Sequence, residues 1–231
     1  MEAIILAGGL GTRLRSVVND KPKALSLVSG EPFLKYVLDY LQREGVTDFI
    51  FSLGYLSEQI LSFLATEYPG LKYKYYIEES PLGTGGALAK AIALTNTENV
   101  LIVNADTFFE VNLTKMVEEH IAVNADCTIP LKEMYRFDRY GSVELDEDNR
   151  IISFKEKSFK EKGLINGGYL LLKKEVFIKE LKTLPEVFSF EKDFLEVQLN
   201  KLIVHGFVSN SYFIDIGVPE DYEKAQTDFK K

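Results

Sequence analysis

Residues 3–14 read AIILAGGLGTRL, an apolar run that breaks into glycines. The apolar part is typical of a buried strand, and the glycines let the backbone that follows come close to a ligand. Basic residues outnumber the single acidic residue, Asp20, within residues 10–25: Arg13, Arg15, Lys21 and Lys23. Because the chain as a whole carries a net charge of −8, this local excess of positive charge predicts a loop that binds an anion, with phosphate the best match.

Two common glycine motifs do not fit this loop. The dinucleotide fingerprint G-x-G-x-x-G, started at Gly9, requires a third glycine where Leu14 stands. The P-loop requires a lysine directly after its last glycine, and neither Gly9 nor Gly11 is followed by one. An NAD-dependent oxidoreductase is therefore a weak interpretation.

The composition predicts one globular domain spanning residues 1–231. A net charge of −8 and a pI near 5.0 argue against nucleic acid or an anionic membrane as a partner. A single cysteine, no signal-peptide pattern after Met1 and no apolar stretch of about 18 residues predict a cytoplasmic protein. A homodimer is possible, since an apolar segment such as 187–190 suits a partner as well as the core.

Strands and helices are predicted to alternate in the first half of the chain. The predicted elements are helices 33–44, 57–64 with Ser57 as N-cap, and 87–94, and strands 48–53, 72–77 and 100–103. Shorter strands and further helices are predicted from Asp126 onward: strands 127–130, 141–145, 151–154, 165–172 and 212–216, and helices 174–181, 191–201 and 220–230. This order predicts an α/β fold, a Rossmann-like three-layer sandwich with a mixed, mainly parallel central sheet.

Two aspartates follow or interrupt apolar strands. The strand 100–103 ends in Asn104, Ala105 and Asp106, so Asp106 and the glycine loop are expected at the same edge of the sheet, where ligands bind in open α/β folds. Asp215 lies within the apolar segment 212–216. Two such carboxylates suggest one Mg²⁺ held by oxygen ligands, with phosphate and water completing its coordination. The alternative is that each carboxylate caps a neighbouring turn.

The complete motif, G-G-x-G-T-R-L with a later P-K, resembles the signature of the sugar-1-phosphate nucleotidyltransferases. The resemblance implies the nucleotide-diphospho-sugar transferase fold, with a nucleotide-binding half of about 1–110 and a sugar-binding half of about 111–231. It implies that the first loop and a second glycine segment bind a nucleoside triphosphate: Leu6, Ala7, Gly8, Gly9, Gly11, Thr12, Arg13, Gly83 and Thr84. The resemblance implies that Arg13, Lys23 and Asp106 are catalytic and that Asp106 and Asp215 bind Mg²⁺.

The resemblance extends to segments that bind the sugar phosphate in this family. The matching residues here are Asn104, Gly141, Glu156, Lys157, Asn166 and Gly167. A plain solvated strand at 154–157 and an ordinary glycine turn at 166–168 remain the alternatives. The reaction implied is attack of a sugar 1-phosphate on the α-phosphorus of the triphosphate, with release of pyrophosphate.

Glu78 stands where many relatives that use uracil or thymine have glutamine. A carboxylate can accept both N1–H and the exocyclic amine of guanine, which favours GTP as the nucleotide. An exposed acidic strand end is the alternative interpretation of Glu78 and Glu79. The segments 83–86, 106–109, 190–194 and 213–222 look most like the D-glycero-α-D-manno-heptose 1-phosphate guanylyltransferases, which make GDP-heptose for bacterial surface glycans.

Other functions stay open at this point. Within the family these are mannose-1-phosphate guanylyltransferase and N-acetylmuramate-1-phosphate uridylyltransferase, and outside it a non-catalytic nucleotide-sugar sensor. A degenerate sensor would be expected to lose Lys23 or a metal carboxylate, and both are present. His120 and His205 are isolated and typical of surface or helix-end positions. Cys127 is expected to pack in the buried core.

Overall fold

A mixed sheet of ten strands forms the centre of the molecule. The structure is a computed structural model that describes residues 1–9 and 21–230. Its strands are β1 Glu2–Ala7, β2 Leu27–Val28, β3 Glu31–Pro32, β4 Asp48–Leu53, β5 Lys72–Ile77, β6 Asn99–Asn104, β7 Thr107–Phe109, β8 Cys127–Phe137, β9 Ser142–Leu145, β10 Ile151–Lys155, β11 Lys160–Asn166, β12 Tyr169–Lys173, β13 Val204–Ser209 and β14 Phe213–Asp215.

The order of strands in the large sheet is β10-β9-β11-β8-β12-β6-β1-β4-β5, and β13 pairs with β8 off this path. Strands β6, β1, β4 and β5 are parallel, as are β8 and β13. The other pairings in this sheet are antiparallel. Two small antiparallel pairs, β7 with β14 and β2 with β3, lie outside the large sheet.

Helices cover both faces of the parallel part of the sheet. They are α1 Phe33–Arg43, α2 Ser57–Glu67, α3 Gly83–Ile92, α4 Leu113–Ala122, α5 Lys174–Glu180, α6 Glu196–Gln198 and α7 Pro219–Asp228, with a 3₁₀ turn at Lys23–Leu25 and a π-helical turn at Phe190–Leu195.

Alternation along β1 divides the core into two layers. Ala3 and Ile5 pack with the apolar face of α1, whereas Ile4 packs with Leu88 of α3 on the opposite face. Successive side chains of a strand point to opposite faces, so one strand contributes to both cores. The predicted α/β fold with a mixed central sheet and two covered faces is confirmed.

Several predicted boundaries were wrong. Ser57 is the first residue of α2, not its cap, because Leu56 occupies the cap position without a side-chain hydrogen bond. The strand expected at 165–172 is a hairpin, since Gly168 has a positive φ of 76° between β11 and β12. The helix expected at 191–201 begins as the π-helical turn and continues into α6.

Both histidines lie inside the protein, so the expected surface position was wrong, whereas the expected helix-end position is confirmed for His120. His120 is in the last turn of α4, 2% exposed, and its Nδ1 lies 2.8 Å from the Thr128 hydroxyl. Burial lowers the pKa of His120 to about 4. His205 lies 3.2 Å from a carboxylate oxygen of Glu119. Cys127 is buried, as expected, and burial raises the pKa of its thiol.

No helix within the described ranges is long and apolar enough to cross a bilayer.

Candidate active site

Three charged side chains meet beyond the carboxyl ends of the central strands. The Lys23 ammonium nitrogen lies 2.5 Å from Oδ2 of Asp106 and 4.0 Å from Oδ1 of Asp215. The side chains of Lys23, Asp106 and Asp215 are 13%, 34% and 26% exposed, so each is largely shielded from solvent. The cluster therefore combines one positive charge with two oxygen-bearing negative charges at a partly open position.

The short pairing of β7 with β14 brings the two aspartates together. Asp215 is opposite Thr107 in this pair, and Ile216 donates its backbone N–H to the carbonyl of Asp106 at 3.0 Å. Gly217 then donates its N–H to Oδ1 of Asp215 at 2.6 Å. A Cβ at Gly217 would lie 2.9 Å from the Lys23 nitrogen, so the absence of a side chain there leaves room for the cluster.

A cavity of about 500 Å³ opens beside this cluster. Its lining includes these predicted nucleotide-binding and catalytic residues: Leu6, Ala7, Gly8, Gly9, Lys23, Glu78, Gly83, Thr84 and Asp106. Asn104, which was predicted for the sugar phosphate, lines it as well. Ser52, Pro81, Ala87 and Gly217 also line it, and the sequence analysis assigned them no role. We call it the first cavity.

Glu78 lies half-buried between the two glycine segments. Its Oε2 accepts a hydrogen bond from the backbone N–H of Leu82 at 3.0 Å. Its Oε1 lies where a Cβ on Gly8 would approach within 2.3 Å, so a glycine at position 8 is needed for this contact. The carboxylate is thus an organised part of the first cavity, unlike an exposed acidic strand end.

The second glycine segment also holds a distant part of the chain. Thr84 accepts a hydrogen bond at its hydroxyl from the backbone N–H of Phe190, 3.0 Å away. Gly85 donates its backbone N–H to the carbonyl of Phe188, and a Cβ at Gly85 would lie 2.2 Å from the Phe188 ring. These contacts tie the start of α3 to the segment leading into the π-helical turn.

A second cavity, of about 260 Å³, adjoins the first, because Asn104 lines both. Predicted sugar-site and metal-site residues in its lining are Asn104, Gly141, Glu156, Lys157, Asn166 and Asp215. Gly168, not the predicted Gly167, lines it. Gly167 instead packs where a Cβ would lie 2.3 Å from the Phe109 ring, which gives it a packing role.

The second cavity has an exposed ion pair at its edge and an acidic residue in its wall. Glu156 lies 2.7 Å from the Lys192 nitrogen, and both side chains are more than half exposed. Glu191, the residue before Lys192, is half-buried and lines the second cavity together with Asn166. Burial raises the pKa of Glu191, while the side chain of Asn166 opposes that change.

Comparison with known proteins assigns the family. Residues 2–231 match the model of the nucleotidyl transferase family. This chain belongs to that family. It is 49% identical to the D-glycero-alpha-D-manno-heptose 1-phosphate guanylyltransferase of Aneurinibacillus thermoaerophilus, over 100% of this chain and 99% of that protein. The corresponding enzyme of Campylobacter jejuni subsp. jejuni is 44% identical over 96% of this chain and 97% of its own length.

Solved structures in the comparison agree with the fold. HddC from Yersinia pseudotuberculosis superimposes with a TM-score of 0.88 at 39% identity, over 99% of each chain. A structure of the same protein in complex with GMP-PN gives a TM-score of 0.87 at 38% identity. The nucleotidyltransferase resemblance identified from the glycine motif is confirmed.

Some predicted site residues of this family member lie outside the described ranges. They are Gly11, Thr12 and Arg13, all within 10–20. Glu191, in contrast, was assigned no role by the sequence analysis, although its segment 190–194 was part of the resemblance to family members. The signal available was an acidic residue between Phe190 and Phe194, whose side chains pack together in the core.

The carboxylates of the cluster are the groups that could bind a divalent cation in this nucleotidyl transferase. Among the described residues, no group of three or more histidine, cysteine or acidic side chains is arranged to hold a metal ion. Asp106 and Asp215 instead form a pair around the Lys23 ammonium. A pair of carboxylates suits a magnesium ion that takes its remaining ligands from substrate phosphates and water.

Proposed function

We propose that this protein transfers a guanylyl group from GTP to D-glycero-α-D-manno-heptose 1-phosphate, forming GDP-heptose and pyrophosphate. The observation that carries the proposal is the Lys23, Asp106 and Asp215 cluster, which lies where the first and second cavities meet. A transfer between two bound substrates requires such an arrangement, with the reacting groups held between two binding cavities. The full-length similarity to two heptose 1-phosphate guanylyltransferases supports the choice of substrates.

The first cavity suits the nucleotide. Its lining comes from residues before 107, apart from Gly217, which supports a nucleotide-binding half of about 1–110. Glu78 faces this cavity with a carboxylate that can accept two N–H groups of guanine, whereas uracil offers a single donor at that edge. The GMP-PN complex of the Yersinia pseudotuberculosis protein supports a guanine nucleotide.

The second cavity suits the sugar 1-phosphate. Apart from Asn104 and Thr107, its lining comes from residues after 110, which supports a sugar-binding half of about 111–231. Lys157 provides a positive charge for the phosphate, and Asn166 and Glu156 provide groups that hydrogen-bond hydroxyls. The ion pair of Glu156 with Lys192 leaves the second oxygen of that carboxylate for such a contact.

The reaction requires alignment and charge neutralisation. A phosphate monoester has a second pKa of about 6, so the sugar phosphate needs no general base at neutral pH. One of its oxygens forms a bond to the α-phosphorus of GTP, and the bond from that phosphorus to the bridging oxygen of the β-phosphate breaks. Pyrophosphate leaves with the electron pair. Lys23 holds a positive charge beside these phosphates, and Arg13 is proposed to do the same.

Asp106 and Asp215 fit a magnesium ion, because they already place two carboxylates around one positive charge. When bound, Mg²⁺ would neutralise phosphate charge and orient the α-phosphate. A metal held by both carboxylates would lie close to the Lys23 ammonium, which contacts Oδ2 of Asp106 at 2.5 Å. Lys23 would place its positive charge beside the same phosphates, where that charge stabilises the transition state.

The experiment that tests this proposal is a matrix of pyrophosphate-release assays with Mg²⁺. The nucleotides are GTP, UTP, dTTP, CTP and ATP, and each is paired with the 1-phosphates of heptose, mannose, glucose and N-acetylmuramate. We expect the highest kcat/KM for GTP with heptose 1-phosphate. A higher value with mannose 1-phosphate or UTP would contradict the substrates, and no release in any pair would contradict the reaction.

A further inference from the structure

Glu191 is held in the wall of the second cavity by contacts on both sides of it. Phe190 and Phe194, which flank it in the π-helical turn, are buried and pack against Phe177. The backbone N–H of Phe190 is bonded to the Thr84 hydroxyl at 3.0 Å. The Glu191 backbone is therefore fixed by the core on one side, while its side chain lines the cavity on the other.

The start of this turn is held by a reciprocal pair of side-chain contacts. Ser189 accepts a hydrogen bond at its hydroxyl from the backbone N–H of Lys192, and it donates its own backbone N–H to Asp193 at 2.7 Å. The two contacts satisfy two backbone donors at once, as in a capping box, with the acidic partner Asp193 one residue later than in that motif. Glu191 thus needs little reorganisation before it can bind a ligand.

Asn166 lines the same cavity as Glu191. Its Oδ1 accepts the backbone N–H of Gly168 at 2.9 Å, so its amide nitrogen is the part left as a donor in the cavity that Glu191 also lines. The neighbouring cation, Lys192, is engaged by Glu156 at 2.7 Å. Glu191 therefore presents a carboxylate to the second cavity beside the neutral amide of Asn166.

We propose that Glu191 is a specificity-determining residue that accepts a hydrogen bond from a hydroxyl of the sugar moiety. This inference rests on the proposed function and deepens it by assigning a recognition contact within the second cavity. A hydrogen bond from a hydroxyl to a carboxylate is charge-assisted and stronger than one between neutral groups. A sugar that lacks the hydroxyl leaves a half-buried carboxylate without that donor, and sites of this kind discriminate strongly against such analogues.

The test combines substitutions of Glu191 with single deletions of sugar hydroxyls. The kcat/KM of the wild type, Glu191→Ala and Glu191→Gln is measured with the sugar 1-phosphate that the wild type uses best and with each of its monodeoxy analogues. Glu186→Ala is the matched control, since it removes one negative charge from an exposed side chain of the same segment. Glu191→Gln nearly preserves shape, so it keeps the test informative if the alanine variant folds poorly.

We expect one analogue to lose about 10- to 100-fold in kcat/KM with the wild type and with Glu186→Ala. With Glu191→Ala, the kcat/KM values for this analogue and for the complete sugar should differ by less than about twofold, and the KM for GTP should stay unchanged. If Glu191→Ala lowers kcat/KM by the same factor for the complete sugar and for every analogue, Glu191 acts in packing and the proposed role is overturned. A wild type that uses no sugar 1-phosphate would overturn the proposed function, and this inference with it.

Discussion

The ammonium nitrogen of Lys23 lies 2.5 Å from Oδ2 of Asp106, although 83 residues separate them in the chain. The contact joins Lys23, in the basic segment that follows the glycine loop, to Asp106, which lies two residues after the end of β6. The sequence placed these two parts of the chain at one sheet edge. With Asp215 at 4.0 Å, the contact creates a position that already holds a cation between two carboxylates. The first two predictions follow from this arrangement.

Asp106→Asn is expected to lower kcat by orders of magnitude while the fold stays intact. The amide keeps the size of the side chain but removes one of the two charges proposed to hold Mg²⁺. Steady-state kinetics and thermal unfolding measure the two effects separately. Asp138→Asn, an exposed aspartate outside both cavity linings, is the control. Near-normal turnover by Asp106→Asn would contradict the metal assignment.

Lys23→Met is expected to bind Mn²⁺ more tightly than the wild type when no nucleotide is present. Removal of the ammonium leaves Asp106 and Asp215 facing each other without its charge, and a divalent cation relieves their repulsion. We expect the apparent Kd for Mn²⁺, measured by electron paramagnetic resonance, to fall about tenfold. The same variant should lose catalytic activity. Equal or weaker Mn²⁺ binding would show that the lysine and the metal do not share one position.

Glu78→Gln is expected to erode the preference for GTP over UTP. The glutamine oxygen can still accept the Leu82 N–H. The amide NH2 group then faces the base, and it cannot accept a hydrogen bond from the guanine donors. The loss of one charge-assisted hydrogen bond should reduce the ratio of kcat/KM values for GTP and UTP by about 10- to 100-fold. Glu79→Gln, at the exposed neighbouring position, should leave the ratio unchanged. If Glu78→Gln also leaves it unchanged, the carboxylate has no role in base selection.

His120 is expected to make stability depend on pH between about 4 and 6.5. Burial lowers the native pKa to about 4, so in this range the unfolded chain binds a proton that the native protein does not. The contribution of His120 to the free energy of unfolding is fully present above pH 6.5 and decreases as the pH falls. At pH 5 the loss is about 2 kcal/mol relative to pH 7.

Urea unfolding of the wild type and of His120→Gln at pH 7 and pH 5 measures this contribution. Other titrating groups are common to the two proteins and cancel in the difference. The wild type should lose about 2 kcal/mol more than the variant over this interval. If the wild type and His120→Gln lose the same free energy of unfolding between pH 7 and pH 5, His120 titrates normally in the folded protein.

Gly85→Ala is expected to destabilise the protein, although alanine normally favours a helix. The added Cβ would lie 2.2 Å from the buried ring of Phe188, and overpacking of this kind costs about 1–3 kcal/mol. Gly70→Ala is the control, because its Cβ would meet nothing within 4 Å. Thermal melts of the two variants should therefore differ clearly. A Gly85→Ala melt matching the wild type would mean that Phe188 can move aside.

The sequence predicted those parts of the fold whose apolar pattern is long and regular. Strands 48–53 and 72–77 have the predicted bounds, and the predicted helix 33–44 is one residue shorter in the structure. Their alternation led directly to the parallel sheet. Short elements were missed, because a three-residue strand such as β7 has no period of its own and is defined by pairing with β14, more than 100 residues later.

The candidate site was predicted in its outline from glycine spacing and two aspartates. The helix-end position of His120 was predicted but its burial was not, because burial depends on the contact of α4 with β8, which a pattern of single residues does not encode. Gly167 was assigned to the sugar site, although its lack of a side chain serves packing against Phe109. Glu191 was missed for a related reason, since only the folded chain places its side chain beside Asn166.

The most direct test of the central claim is ³¹P nuclear magnetic resonance of a mixture of the enzyme, Mg²⁺, GTP and D-glycero-α-D-manno-heptose 1-phosphate. The account predicts that the resonances of GTP and the sugar phosphate decrease together, while a diphosphate ester and pyrophosphate increase in equal amounts. Asp106→Asn should leave the spectrum nearly unchanged over the same time. Conversion of GTP to GDP or GMP without a diphosphate ester, or no conversion at all, would contradict the account.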